Sequence, residues 1–177
     1  MTFIHFVWSE IEAAFGRTPP KILIVGAGDP MWRGGLSAPN SLFSHTSRPL
    51  VSENGTSTLI HELTHVITRI RARDRSDWLT EGLAEFYSVE LVWRAGGMSD
   101  ERRAKVYADL RDWGRGVKSL RTDRSSAEIT ARAAVLLHEL DAEIRQRTDD
   151  AKALADVTKL LRAKRVVSTQ DLVAATT

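Results

Sequence analysis

The chain has 177 residues, 42% of them hydrophobic and 27% charged, with a formal net charge of +2 when His is counted neutral. That length suits one domain with a core of its own and is short for two, and so small a charge does not by itself call for a nucleic-acid partner. There is no cysteine, which excludes disulfides and thiolate metal sites, so any zinc must be held by His and carboxylate.

The opening MTFIHFVW lacks the basic flank and long apolar core of a signal peptide. No apolar run approaches the ~20 residues that a membrane helix needs. The chain therefore reads as soluble and without a membrane-spanning segment, with the compartment left open. Phe3, Ile4, Val7, Ile11, Ala14 and Phe15 recur at helical spacing and predict an amphipathic helix over 3–15, ended by Gly16 and Pro19-Pro20. KILIVG (21–26) is apolar and β-branched and predicts a buried strand. Residues 26–57 are rich in Gly, Pro, Ser and Asn, with strand-like stretches near 42–44 and 48–52.

From about Gly55 the pattern turns helical. Helices are expected near 56–73 and 78–95, the second stopped by Gly96-Gly97, then a third capped by Ser99 and running to about Trp113. Further helices are expected near 125–147 and 150–164, and a short one at 168–175 capped by Ser168. The order predicts an α+β fold: a small sheet and irregular region over about 1–55, then a mostly helical body over about 56–177, in one domain. Arg69, Arg71, Arg73 and Arg75 make a local basic run. Only Arg69 and Arg73 would share a helical face, so the run reads as a solvated helix end and no nucleic-acid partner is expected.

HELTH (61–65) fits the H-E-x-x-H pattern on a helix. Residues one turn apart share a face, so His61 and His65 can direct ring nitrogens at one ion. Glu62 is rotated by one residue, beside the metal rather than on it, where it can take a proton from a metal-activated water. A catalytic zinc needs a third protein ligand and an open position. The metzincin solution requires Gly and His downstream, whereas positions 66–71 read VITRIR. Glu81, in WLTEG on the following helix, is the expected third ligand, with a turn at Arg73–Ser76 between the helices and Gly82 permitting a close helix–helix approach. Glu85, one turn after Glu81, is assigned as the carboxylate that orients a ligating imidazole; a solvent-facing role is its alternative. Asp77 more simply caps the helix that follows.

HExxH followed by W-x-x-E-G-x-A-x-F resembles the gluzincin peptidases, and further segments resemble the glycyl aminopeptidase family within them. RGGLSAPNSLF (33–43) is similar to that family's GGLEHxNS segment, AVLLHELDAEIRQRT (134–148) to its LVALLLDLEIRxRT helix, and STQDLVAA (168–175) to its closing TEEDFLAAL. The resemblance covers nearly the whole chain and implies a thermolysin-like zincin catalytic domain with one Zn2+ per chain. It also implies that 33–43 contains an edge strand, with Gly34, Gly35, Leu36 and Ser37 lying along a peptide or protein substrate. In such aminopeptidases the Glu of GGLEH would grip the substrate's free amino group; here it is Ser37, and the next residue is Ala38. The family's Tyr, which would stabilise the oxyanion, falls at Ile129 or Thr130. Tyr87 is expected in the core, His45 as a loop histidine, and His138 as a packing or capping residue; His5 is unremarkable. The expected activity is zinc-dependent peptide-bond hydrolysis with Glu62 as general base. Its alternative is a zinc-bound peptide-binding module with weakened catalysis.

Overall fold

The structure, a computed structural model, describes residues 2–176. The fold is α+β, with seven α-helices, one three-stranded sheet and one two-stranded pair among the described residues. No described helix is long and apolar enough to cross a membrane. The residues group into two compact units interleaved in sequence. One runs through Arg69 and resumes over Tyr87–Val106; the other takes Ile70–Phe86 and the chain from Tyr107 onward.

In the first unit, α1 (Thr2–Phe15) buries Val7, Ile11, Ala14 and Phe15 of the predicted stripe and leaves Phe3 and Ile4 half-buried, while His5 stays exposed. The sheet has the order β1-β3-β2, with β1 (Leu23–Ala27) parallel to β3 (Ser41–His45) and β2 (Gly35–Ala38) antiparallel to it. β1 is a strand, as KILIVG predicts, but it is an edge strand and not a buried one. Leu23 and Val25 are 63% and 43% exposed. A short apolar run specifies extended backbone without specifying how many neighbours cover it. β2 arises inside the Gly-rich stretch, where the residue pattern alone marks no strand but the family resemblance implies an edge strand, and 48–52 is not a strand. There the chain turns, with Arg48 N–H donating to the His45 carbonyl at 2.9 Å and Gly55 N–H to the Ser52 carbonyl at 2.8 Å.

α2 (Thr58–Thr68) is capped by Ser57, whose hydroxyl oxygen accepts from Ile60 N–H at 3.3 Å. It buries Ile60, Leu63, Val66 and Ile67 and packs on β2 and β3. The predicted continuation to 73 does not occur. Arg69 takes a left-handed conformation (φ +52°) and closes the helix by donating its N–H to the His65 carbonyl.

In the second unit, β4 (Arg71–Ala72) pairs in parallel with β5 (Val166–Val167). This pairing uses the residues that the sequence pattern assigned to the end of the helix. A turn with Asp74 and Arg75 at φ +56° and +57° leads into α3 (Asp77–Arg94). α4 (Asp100–Trp113) follows; like α3 it contributes residues to both units, and the Ser99 hydroxyl caps it by accepting from Arg102 N–H at 3.3 Å. α5 (Ala127–Arg147), α6 (Leu154–Lys164) and α7 (Thr169–Thr176) complete the chain. Asp141 is the buried polar junction among them, accepting from Leu154 N–H at 2.7 Å and Arg145 Nε at 2.9 Å. The arginines of the basic run are exposed, and three of the side chains bond within the chain. Arg69 bonds Asn40, Arg73 reaches Asp171 at 3.4 Å, and Arg75 donates to the Arg121 carbonyl at 2.9 Å.

Candidate metal centre

His61 and His65 are one turn apart on α2, and the apolar residues between and around them bury the helix's other side. The two imidazoles therefore emerge together, half-buried, from the face left over. Their Nε2 atoms converge to 3.2 Å. Ligands bound at about 2.0–2.1 Å in a tetrahedron stand roughly 3.3 Å apart, so this spacing is what two ligands of one ion require. Glu81, also half-buried, completes the set: one ligand atom from each of His61, His65 and Glu81 lies within 4.8 Å of the others. Two neutral nitrogen donors and a carboxylate form a group that could hold a metal ion.

Glu62 follows His61 on α2 and is rotated by one residue from the face that the two imidazoles share. Its side chain lies against the backbone of β2: a Cβ placed on Gly35 would stand 2.6 Å from Glu62 Cγ and 2.9 Å from its Oε1. Thr58 borders the same spot, with its Cγ2 at 2.7 Å. A Cβ at 35 would therefore crowd both side chains, and Glu62, Thr58 or the strand would have to shift to admit it. No protein-family profile matches this chain, and no curated protein is significantly similar to it.

Glu85 is half-buried on α3, one turn beyond Glu81. Asp77 is fixed elsewhere, its carboxylate accepting from Ser125 N–H at 2.7 Å. Gly82 does permit a close helix approach, and the helix that uses it is α5: a Cβ there would stand 2.6 Å from the Ala133 Cβ and 3.1 Å from Leu137 Cδ1. Ser37 and Ala38 are exposed, and Ile129 and Thr130 sit in the first turns of α5. Tyr87 is fully buried and packs edge-on against Phe15 with ring centroids 4.6 Å apart. Tyr107 stacks on His138 at 3.7 Å.

His45 is not a loop residue. It ends β3, is 2% exposed, and its Nδ1 accepts from Ser47 N–H at 3.2 Å, with the Ser47 hydroxyl 2.7 Å away. Its Nε2 faces Asp29 at 3.6 Å. Sequence reasoning passed over Trp32. Its six-membered ring occupies the place where a Gly34 side chain would stand, and a lone aromatic in a Gly-rich stretch has no periodicity to mark it.

Proposed function

We propose that the chain is a zinc-dependent peptidase domain of the thermolysin-like, gluzincin type, related in design to the glycyl aminopeptidases. His61, His65 and Glu81 would hold the zinc, and Glu62 is the general base. The observation that carries this reading is the convergence of the two imidazoles with the Glu81 carboxylate, together with Glu62 lying against strand β2. Zinc, when bound, supplies a Lewis acid in an open coordination position and lowers the pKa of water there toward ~7.

The chain's own residues supply the rest. Among the described residues β2 is an edge strand paired only with β3, so alternate backbone N–H and C=O groups face outward and can pair with an extended peptide. Gly34, Gly35, Leu36 and Ser37 would line that peptide, and the bare backbone at Gly35 brings its scissile bond beside the Glu62 carboxylate. Glu62 accepts a proton from the attacking water and returns it to the leaving amine. Ser37 carries no charge, so it offers no ion-pair partner for a substrate ammonium. Internal peptide bonds should therefore be cut at least as well as terminal ones.

A second reading, a zinc-bound peptide-binding module with weak catalysis, draws support from the tyrosines. Tyr87 is sealed in a core and Tyr107 is stacked on His138, which leaves no tyrosine assigned to the oxyanion. The retained Glu62 favours hydrolysis. Digestion of a mixed peptide library, with and without N-terminal acetylation, decides between the two. Wild type should cleave both sets, and Glu62→Gln should retain its zinc and lose cleavage. Cleavage confined to free N-termini would require an amine anchor, and zinc-loaded wild type that cuts nothing would leave the binding module.

A further inference from the structure

The face of β2 turned away from Glu62 carries an apolar strip that the reading above does not use. Gly35 turns its missing side chain toward Thr58 and Glu62. Strand residues alternate, so Leu36 projects from the opposite face, where it is 58% exposed. The ladder extends one residue before the strand proper. Gly34 C=O accepts from His45 N–H at 3.0 Å, in register with the Gly35–Ser44 and Leu36–Phe43 pairs. Gly34 therefore shares the Leu36 face, and its side-chain place is filled by the Trp32 ring. Trp32 is 60% exposed. An indole that could turn toward a core lies instead on the edge strand, one residue from the glycine that touches the general base.

Hydrogen bonds to backbone carbonyls hold this arrangement. Gly34 N–H donates to the Trp32 carbonyl at 2.9 Å, and Arg48 Nε to the Arg33 carbonyl at 2.9 Å. Arg33 itself is turned outward and held by Asp29, with Nε to Oδ1 at 2.8 Å and Nη2 to Oδ2 at 2.6 Å. The charged side chain of the segment is thus tied back, and the apolar one is left facing any strand that adds to β2.

We infer that Trp32 is a specificity-determining residue, selecting extended peptides that carry bulky apolar side chains at alternate positions. This inference rests on β2 being the substrate edge. A peptide paired with β2 presents every second side chain to the face shared by Leu36 and the Trp32 ring, while the intervening ones point toward α2. Leu, Phe or Met on that face would cover apolar surface now open to water, which polar residues would not.

The test uses the full chain as zinc-loaded Glu62→Gln and two N-acetylated, C-amidated peptides, identical except for Leu or Ser at alternate positions. Binding is measured by calorimetry. The Leu peptide should bind roughly tenfold more tightly than the Ser peptide. Adding Trp32→Ala should bring that ratio near one, and Trp32→Phe should keep most of it, with zinc content equal in all three proteins. A ratio that survives Trp32→Ala, a parent that does not discriminate, or a parent that binds neither peptide overturns the inference. Digestion of both peptides by wild type separates the two claims. Trp32-dependent binding without cleavage removes hydrolysis and leaves the selectivity, whereas equal cleavage of both peptides removes the selectivity and leaves hydrolysis.

Discussion

Replacing Gly35 with Ala probes the contact on which the proposed chemistry depends. The added methyl carbon would stand 2.6 Å from Glu62 Cγ, 2.7 Å from Thr58 Cγ2 and 2.9 Å from Glu62 Oε1. Carbon contacts settle near 3.5–4.0 Å, so the shortfall is about 1 Å. Thr58 is β-branched and sits in the first turn of α2, so its rotamer gives little. Glu62 or the strand must move. Overpacking of this kind costs about 1–3 kcal/mol, or roughly 2–12 °C in Tm for a chain of this size. Misplacing a general base by about 1 Å lowers turnover on the order of a hundredfold. The three nearest atoms belong to Glu62 and Thr58, none to a metal ligand, so zinc content should hold. Thermal unfolding, zinc analysis and peptide turnover read the three effects separately. A Gly35→Ala protein with wild-type Tm and turnover would show that β2 does not lie against Glu62, and would refute the placement of substrate.

Glu81→Ala should strip zinc at neutral pH while Glu62→Gln keeps it, as metal analysis after dialysis would show; full zinc in the first would displace Glu81 as third ligand. Glu85→Ala should weaken zinc affinity by roughly 10- to 100-fold in a competition titration if its carboxylate orients a ligating imidazole, and leave it unchanged otherwise. Gly82→Ala should destabilise by about 1–3 kcal/mol in urea unfolding, because its methyl meets Ala133 Cβ at 2.6 Å and α5 must shift. Asp171 lies 2.8 Å from Lys164 Nζ and accepts from Ser168 N–H at 2.8 Å. These partners, Lys164 foremost, hold its carboxyl well below its ordinary 3.8. A depressed folded pKa contributes stability that is complete above the unfolded value and fades as the pH falls through the folded one. Asp171→Asn should therefore lower Tm at neutral pH, and the gap to wild type should close in the acid range; a gap independent of pH would refute it.

Much of the helical body is legible in the pattern of residues because long apolar stripes and explicit caps agree. Ser57, Ser99 and Gly96 sit at helix ends, and α3 matches expectation within a residue. Where such signals are absent or contested, tertiary pairing decides. The stretch at Arg71–Ala72 could continue a helix by composition, yet it pairs with Val166–Val167, distant in sequence. GGLSA has almost no strand propensity, and becomes β2 because α2 and β3 pack on it. The exposure of β1 and the resting place of Trp32 depend on what lies across space from them, which no local period records. At the candidate site, the one-turn spacing of His61 and His65 fixes their shared face from sequence alone. The closeness of Gly35 to Glu62 is invisible there, because a glycine advertises the room it leaves and not the neighbour that fills it.

The helix bearing both histidines has only eleven residues, shorter than the ~12–15 at which an isolated helix becomes even marginally stable in water. Its register is maintained by the buried Ile60, Leu63, Val66 and Ile67 and not by its own hydrogen bonds. The two nitrogens therefore stand together only in the folded chain, and an ion that needs both must discriminate against the unfolded one. By mass action, a metal at a hundred times its dissociation constant would add about 2.7 kcal/mol to folding. Metal supply would then set how much of this protein is folded as well as how much of it could act.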